Sequence, residues 1–201
     1  MKLIYITGPS GSGKTTISKI ILKRIKYGII LNTDNYYKTG IISKILSKIL
    51  VSYFDRKISF NLKLFKKDIE FIIKNGFSDY YYKYNFKRKS IKKIYKKKKN
   101  IRFIIIEGIF GQEIFKAFSN KNCILIKLKI NKQTCMNRVV QRDLIERGKS
   151  KYHAERDFIK AWELFAKNEK KYISNNYLKT YVIRSKSDLN LLIKKLSNIV
   201  N

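Results

Sequence analysis

The segment most able to do chemistry spans residues 8–15 and reads Gly-Pro-Ser-Gly-Ser-Gly-Lys-Thr, a full match to G-x-x-x-x-G-K-[ST]. Glycines allow such a loop to curl so that its backbone N–H groups converge on a polyphosphate. The lysine of this pattern reaches the β- and γ-phosphates of a nucleotide, and the last hydroxyl binds Mg²⁺. The sequence therefore predicts a nucleoside triphosphate site formed by Gly8, Ser10, Gly11, Ser12, Gly13, Lys14, Thr15 and Thr16.

Two carboxylates follow segments that read as buried strands, Asp34 after the second and Glu107 at the end of the third. Because ligands of open α/β sheets bind at the carboxyl ends of the strands, both are expected beside the phosphate loop. Asp34 could accept a proton from an acceptor hydroxyl or help to hold Mg²⁺. Glu107 is costly to bury without a partner, and Mg²⁺ is a natural one, together with Thr15. The alternative for either carboxylate is an ordinary turn or helix cap.

Three arginines, Arg138, Arg142 and Arg147, cluster in a chain whose basic residues are mostly lysines. Phosphoryl transfer requires positive charge near the γ-phosphate as charge shifts in the transition state. Residues 138–150 are therefore predicted to form a small closing lid, in which Arg138 binds the nucleotide and Arg142 and Arg147 act with Lys14 in catalysis. A surface ion pair, for instance between Arg142 and Glu146, is the simpler alternative.

The elements that must position these residues alternate along the chain. Apolar runs predict strands at 2–7, 28–33, 102–107, 123–130 and 180–184, and helical periodicity predicts helices at 14–27, 62–74, 132–147, 153–172 and 189–200. This alternation predicts an α/β fold, a P-loop NTPase-type parallel sheet with helices on both faces. Residues 1–201 are expected to form one domain, with a hairpin insertion at 77–100 that is rich in tyrosine and lysine.

The composition limits the class of protein. A formal net charge of +32 is typical of nucleic-acid binding, but the lysine excess also fits compositional drift, which we favour. Non-specific binding to polyanions at low salt is expected in either case. No apolar run approaches the ~18 residues of a membrane span, and the two cysteines suggest neither a zinc site nor a disulfide. These features predict a cytoplasmic protein that does not bind membranes.

Four segments resemble, in order and spacing, the uridine/cytidine kinases of the uridine kinase–phosphoribulokinase group. They are GPSGSGKTT at 8–16, TDNYY at 33–37, EGIF at 107–110 and RVVQRDLIERGKS at 138–150. The resemblance covers residues 1 to about 150 and implies ATP or GTP as the phosphate donor, Mg²⁺ as the metal ion and a nucleoside as the acceptor. It makes Asp34 the general base for the 5′-hydroxyl and links Glu107 to Mg²⁺. It assigns acceptor contacts to Tyr37, Asp55 and Tyr84, and it implies a tendency to form homo-oligomers.

The chain departs from the family pattern where the acceptor base would bind. The segment 56–61, which follows Asp55, differs from the family's His-Pro-Asp-Ala-Phe-Asp, and the hairpin contains no histidine, since His153 is the only one in the chain. Lys149 replaces the last arginine of the lid. The sequence thus predicts a kinase for the 5′-hydroxyl of uridine or cytidine. A kinase for another alcohol, such as pantothenate, another riboside or a phosphopentose, remains an alternative, as do a nucleic-acid-associated NTPase and a non-catalytic relative.

Overall fold

The computed structural model describes residues 1–50, 53–86, 88–110, 123–172 and 179–200. The strands within these ranges are β1 (Lys2–Thr7), β2 (Gly28–Asn32), β3 (Ser78–Asn85), β4 (Ser90–Lys98), β5 (Phe103–Glu107), β6 (Cys123–Leu128) and β7 (Lys179–Ile183). Five of them form a parallel sheet in the order β2-β5-β1-β6-β7. All five predicted strands are therefore present, and β5 is buried along its whole length, as its uninterrupted apolar run indicates.

The helices of the described ranges are α1 (Lys14–Ile25), α2 (Ile41–Ile49), α3 (Leu62–Asn75), α4 (Lys132–Arg147), α5 (Lys151–Tyr172) and α6 (Lys186–Val200). Five of these were predicted, with ends that differ by up to three residues. Helix α1 ends at Ile25, before its predicted end, because Lys26 and Tyr27 adopt positive φ angles of 58° and 49°. Helix α2 was not predicted. It exposes Ile41, Ile42 and Ile45 rather than burying them.

Apolar cores cover both faces of the parallel sheet. On one face, α1 and α6 pack against the sheet through side chains such as Ile21 and Leu196, both fully buried. On the other face, Phe65 and Ile69 of α3 pack with aromatic residues that follow β2. This arrangement confirms the predicted α/β fold with helices on both faces. None of the described helices has both the length and the apolar character needed to cross a membrane.

The predicted insertion at 77–100 contains the antiparallel hairpin β3–β4, which is separate from the parallel sheet. One bond to Asp68 of α3 holds the hairpin in place, because the hydroxyl of Tyr80 in β3 donates to this carboxylate at 2.8 Å. The Tyr36 hydroxyl, from the segment after β2, donates to the same carboxylate at 2.8 Å. A second bond from the hairpin runs from the backbone N–H of Tyr84 to the Asn35 side-chain oxygen at 3.1 Å. The hairpin is thus attached to α3 and to the segment after β2, where Asp34 lies.

Candidate functional site

The phosphate loop connects β1 to α1. Gly13, with φ 90°, precedes the first turn of α1, and within the described residues no side chain caps this helix. The first N–H groups of α1 are therefore able to donate to an anion. Gly11 has φ +79°, and a Cβ added there would collide with the carbonyl oxygen of Cys135. The loop consequently lies directly against α4, and only glycine allows this approach.

Lys14 folds back over the loop. Its ammonium donates to the carbonyl oxygens of Gly8 and Pro9, at 2.9 Å each. Burial lowers the pKa of Lys14, while the carboxylates of Asp34 and Glu107 act in the opposite direction. The ammonium is therefore held close to two carboxylates, in a place where a bound phosphate would stabilise its charged form.

Glu107 is the most buried carboxylate of this edge of the sheet, with an exposed fraction of 1 %. The hydroxyl of Thr15 donates to both its oxygens, at 3.0 and 3.1 Å, and the Asn32 amide donates to Oε1 at 2.8 Å. Burial raises the pKa of Glu107, and the Thr15 hydrogen bond and the Lys14 charge oppose that rise. Among the described residues, three hydrogen-bond contacts from two side chains thus replace the water that this carboxylate loses.

Asp34 lies in a short 3₁₀ turn, Thr33–Tyr36, directly after β2. Its backbone N–H donates to the Asn32 side-chain oxygen at 2.7 Å, and its Oδ1 accepts a bond from the Tyr37 hydroxyl at 3.2 Å. Strands β2 and β5 are neighbours whose last residues, Asn32 and Glu107, are in register. The structure therefore brings Asp34 and Glu107 to the same edge of the sheet, as their positions after two strands predicted.

The oxygen atoms of Thr15, Glu107 and Asp34 are of the kind that Mg²⁺ prefers. Across the described ranges, His, Cys, Asp and Glu side chains form no group of three or more that could hold a metal ion. A magnesium ion at this place would therefore take its remaining ligands from water and nucleotide phosphates, which is the usual mode for Mg²⁺ in kinases. The residues present fit that mode.

The basic residues of α4 face two kinds of partner. Arg138 donates to the Gly11 carbonyl oxygen at 3.2 Å and so contacts the phosphate loop. Arg142 donates to the Asp143 carboxylate at 2.8 Å, and Arg147 donates to the same carboxylate at 3.4 Å. The Lys149 ammonium lies 3.2 Å from it. Burial of Asp143 opposes its ionisation, but these cations outweigh that effect and lower its pKa. The partner of Arg142 is thus Asp143, not the Glu146 considered from the sequence.

A cavity of about 650 Å³ joins the phosphate loop to an aromatic wall. The wall includes Tyr37, Phe54 and Phe86, with the Tyr37 ring 4.9 Å from Phe54 and 5.9 Å from Phe86. The Arg147 guanidinium lies 4.4 Å from the centre of the Phe86 ring, which links the end of α4 to this wall. The cavity therefore has a cationic end for phosphates and an aromatic end suited to a planar group.

Most predicted site residues line this one cavity. They are Ser10, Gly11, Gly13, Lys14, Thr15, Thr16, Asp34, Tyr37, Glu107, Arg138, Arg142 and Arg147. Among the described residues, Gly8, Ser12 and Tyr84 are outside this lining. The Tyr84 ring packs behind the wall, 5.3 Å from Tyr37. The backbone of Asp55 ends the short turn Tyr53–Asp55, and its side chain lies outside the described structure.

Several residues that line the cavity were not identified by the sequence analysis: Asn32, Lys48, Lys89, Arg156 and Asp157. Lys48 comes from the unpredicted α2, and Lys89 at the hairpin tip donates to Ser47 of that helix at 2.6 Å. Asn32 immediately precedes the turn that carries Asp34, so its position at the end of a predicted strand was an available signal. The other residues carry no local pattern that would have identified them.

Comparison with known proteins agrees with this geometry. The model of the phosphoribulokinase / uridine kinase family matches residues 3–192. A uridine kinase of Borrelia duttonii (strain Ly) is 31% identical over 156 residues, which is 75% of this chain and 71% of the relative. A uridine kinase of Ureaplasma parvum serovar 3 is 30% identical over 164 residues, 74% of this chain and 72% of that protein.

Solved structures show the same fold at low sequence identity. A Silicibacter sp. TM1040 protein assigned as a fructose transport system kinase has a TM-score of 0.62 and 18% identity, and the match covers 82% of this chain and 84% of that one. A circularly permuted protein of Saccharomyces cerevisiae, assigned as a P-loop kinase, has a TM-score of 0.64 and 10% identity, with 92% and 93% covered. With its intact phosphate loop and the family match over most of its length, the chain belongs to the phosphoribulokinase / uridine kinase family and is a P-loop kinase.

Proposed function

We propose that this kinase transfers the γ-phosphate of ATP to the 5′-hydroxyl of a pyrimidine nucleoside, uridine or cytidine. The observation that carries the proposal is the single cavity that joins the phosphate loop, Asp34 and the aromatic wall. A donor phosphate and a planar acceptor could occupy its two ends with Asp34 between them. The uridine kinases of Borrelia duttonii and Ureaplasma parvum, at 31% and 30% identity, support the choice of acceptor.

The donor end would bind the triphosphate through the N–H groups of the phosphate loop and α1. Lys14 would exchange its carbonyl partners for phosphate oxygens, and Arg138 would add positive charge from α4. Thr15 and Glu107 would hold Mg²⁺, with Asp34 close by, and the metal ion would neutralise charge on the phosphates. GTP would fit the same contacts, since all of them are to phosphates.

At the acceptor end, Asp34 would orient the 5′-hydroxyl and accept its proton as the phosphate is transferred. The bond from the Tyr37 hydroxyl fixes the Asp34 carboxylate at 3.2 Å, and the Tyr37 ring forms part of the wall on which a base could stack. Tyr84 would support that wall from behind. A contact of Asp55 with the ribose hydroxyls remains a prediction from the family resemblance.

The two remaining arginines would act during closure. Arg142 and Arg147 line the cavity, and the Asp143 carboxylate holds both guanidinium groups in position. Positive charge fixed in this way stabilises the transition state without further reorganisation. Closure would also exclude water, which otherwise competes with the acceptor for the phosphate.

The test is ADP release with Mg²⁺ and ATP or GTP, measured against uridine, cytidine, other nucleosides, pantothenate and poly(U). Turnover with uridine or cytidine is the expected result. Turnover only with another small alcohol would keep the phosphotransfer site and replace the acceptor. Stimulation by poly(U) alone would instead support a nucleic-acid-associated NTPase. A Lys14→Ala preparation purified in parallel is the control for contaminating kinases, because it should lose most turnover.

A further inference from the structure

Asn32 occupies an unusual position between the two carboxylates of the site. It is the last residue of β2 and is in register with Glu107, the last residue of β5. Its Nδ2 donates to Glu107 Oε1 at 2.8 Å, and its Oδ1 accepts from the backbone N–H of Asp34 at 2.7 Å. One side chain therefore contacts both acidic residues, although they lie 73 positions apart in the sequence.

The orientation of this amide follows from its neighbours. Turning it over would place Oδ1 against a carboxylate oxygen and the NH₂ group against a backbone N–H, and both contacts would be repulsive. The observed orientation satisfies a buried carboxylate and an N–H at the start of the 3₁₀ turn together. The two contacts are also chemically separable, since one needs a donor and the other an acceptor.

The donor contact matters because a glutamate carboxylate turns freely about its last torsion unless partners fix it. Glu107 has two such partners, Thr15 from α1 and Asn32 from β2. Thr15 is itself expected to bind Mg²⁺, so its position depends on whether metal is present. Asn32 is held by the sheet and by its bond to the Asp34 N–H, so its position does not depend on metal in this way.

We propose that Asn32 is a positioning residue for the Mg²⁺–nucleotide site: its amide fixes the Glu107 carboxylate, and its oxygen fixes the turn that carries Asp34. The inference rests on the proposed role of Glu107 at Mg²⁺. It does not depend on which acceptor is phosphorylated. Groups that hold a metal-linked residue in this way commonly change metal affinity by about 10–100-fold when they are removed.

The experiment separates the two contacts with Asn32→Ser. Serine still offers an oxygen to cap the Asp34 N–H but has no amide to reach Glu107. ADP affinity is measured by calorimetry with Mg²⁺ and again with EDTA, and the ratio of the two affinities reports the metal contribution. Asn61→Ser is the matched control, because Asn61 also caps a helix through its side-chain oxygen and lies outside the cavity lining among the described residues.

We expect Asn32→Ser to lower the Mg²⁺/EDTA affinity ratio about tenfold while the affinity in EDTA stays unchanged. Asn61→Ser should leave the ratio as it is. An unchanged ratio in Asn32→Ser would overturn the proposal, as would an equal loss of affinity with and without Mg²⁺. If Asn32→Ser does not fold, Asn32→Thr, which suits a strand end and retains a hydroxyl, replaces it.

Failure of this inference can be told apart from failure of the proposed function. If the wild-type protein binds ADP equally tightly with Mg²⁺ and with EDTA, then Glu107 has no role at the metal ion, and the inference fails as well. If the wild-type protein phosphorylates no nucleoside but wild type and Asn32→Ser show the expected Mg²⁺/EDTA affinity ratios, then only the acceptor assignment is wrong. Asn32→Ala removes both contacts and should lower kcat further than Asn32→Ser without a matching rise in the acceptor KM, since the Asp34 turn is then also released.

Discussion

Gly11→Ala tests how closely the phosphate loop is packed against α4. At Gly11 the backbone has φ +79°, and an added Cβ would collide with the Cys135 carbonyl oxygen and lie 3.0 Å from a methyl group of Val139. Gly148 provides the matched control. Its φ is +64°, and no described atom lies within 4 Å of the place where its Cβ would stand. The two substitutions share backbone strain and differ in steric overlap.

The expected loss of unfolding free energy is the sum of backbone strain and steric overlap. Alanine in the left-handed region costs about 1–2 kcal/mol, and Gly148→Ala should lose that amount of unfolding free energy and no more. Overlap with packed backbone adds about 1–3 kcal/mol, so Gly11→Ala should lose about 2–5 kcal/mol. Because α4 must move to relieve the overlap, the 3.2 Å bond between Arg138 and the Gly11 carbonyl should weaken, and nucleotide affinity should fall.

Urea denaturation without nucleotide measures the stability of both variants, and ADP calorimetry measures their affinity. Gly11→Ala should be the less stable variant by about 1–3 kcal/mol. Equal losses in the two variants would show that the loop can move away from α4 without cost. The close packing inferred here would then be wrong.

Three further predictions address individual carboxylates. Asp34→Asn should lower turnover by about 10²–10⁴-fold with unchanged ADP affinity, and a parallel loss of affinity would contradict its role as base. Asp68→Ala should cost about 1–3 kcal/mol in urea denaturation, because it leaves the buried Tyr36 hydroxyl without this partner. Tyr36→Phe should cost less in that background than alone, so additive losses would contradict this account. Asp143 has a lowered pKa, so its stabilising effect is present above about pH 4 and is lost as the pH falls through its folded pKa. Asp143→Asn should therefore lose less stability than wild type between about pH 6 and about pH 2, and equal acid losses would refute that.

The sequence predicted those parts of the fold that depend on local patterns. Each of the five sheet strands is an apolar run, and the phosphate loop is defined by residue types at fixed spacing. The proximity of Asp34 and Glu107 was also predictable, because parallel strands bring their carboxyl ends to one edge. Helix α2 was missed although its apolar residues, such as Ile41, Ile45 and Ile49, recur at helical spacing, so a signal was available in the sequence. What the sequence did not indicate is that these isoleucines are exposed rather than buried.

Contacts between segments that are distant along the chain could not be predicted from the sequence. The bond from Asn32 to Glu107 depends on the register of β2 against β5, and nothing local to either residue encodes that register. The bond from Arg138 to the Gly11 carbonyl oxygen likewise joins α4 to a loop 127 positions earlier in the sequence. Distances set by tertiary packing therefore decide these parts of the site, even where the residue types were recognised.

The separation of the hairpin from the parallel sheet has a consequence for how the family can diversify. The hairpin is held by side-chain contacts to Asp68 and Asn35, and it shares no backbone ladder with the strands that carry the phosphate loop. Substitutions at its tip, such as at Lys89, can therefore change the lining of the cavity without shifting the register of the sheet. Evolution or protein engineering can therefore vary the hairpin while the phosphate loop and the sheet that carries it stay unchanged.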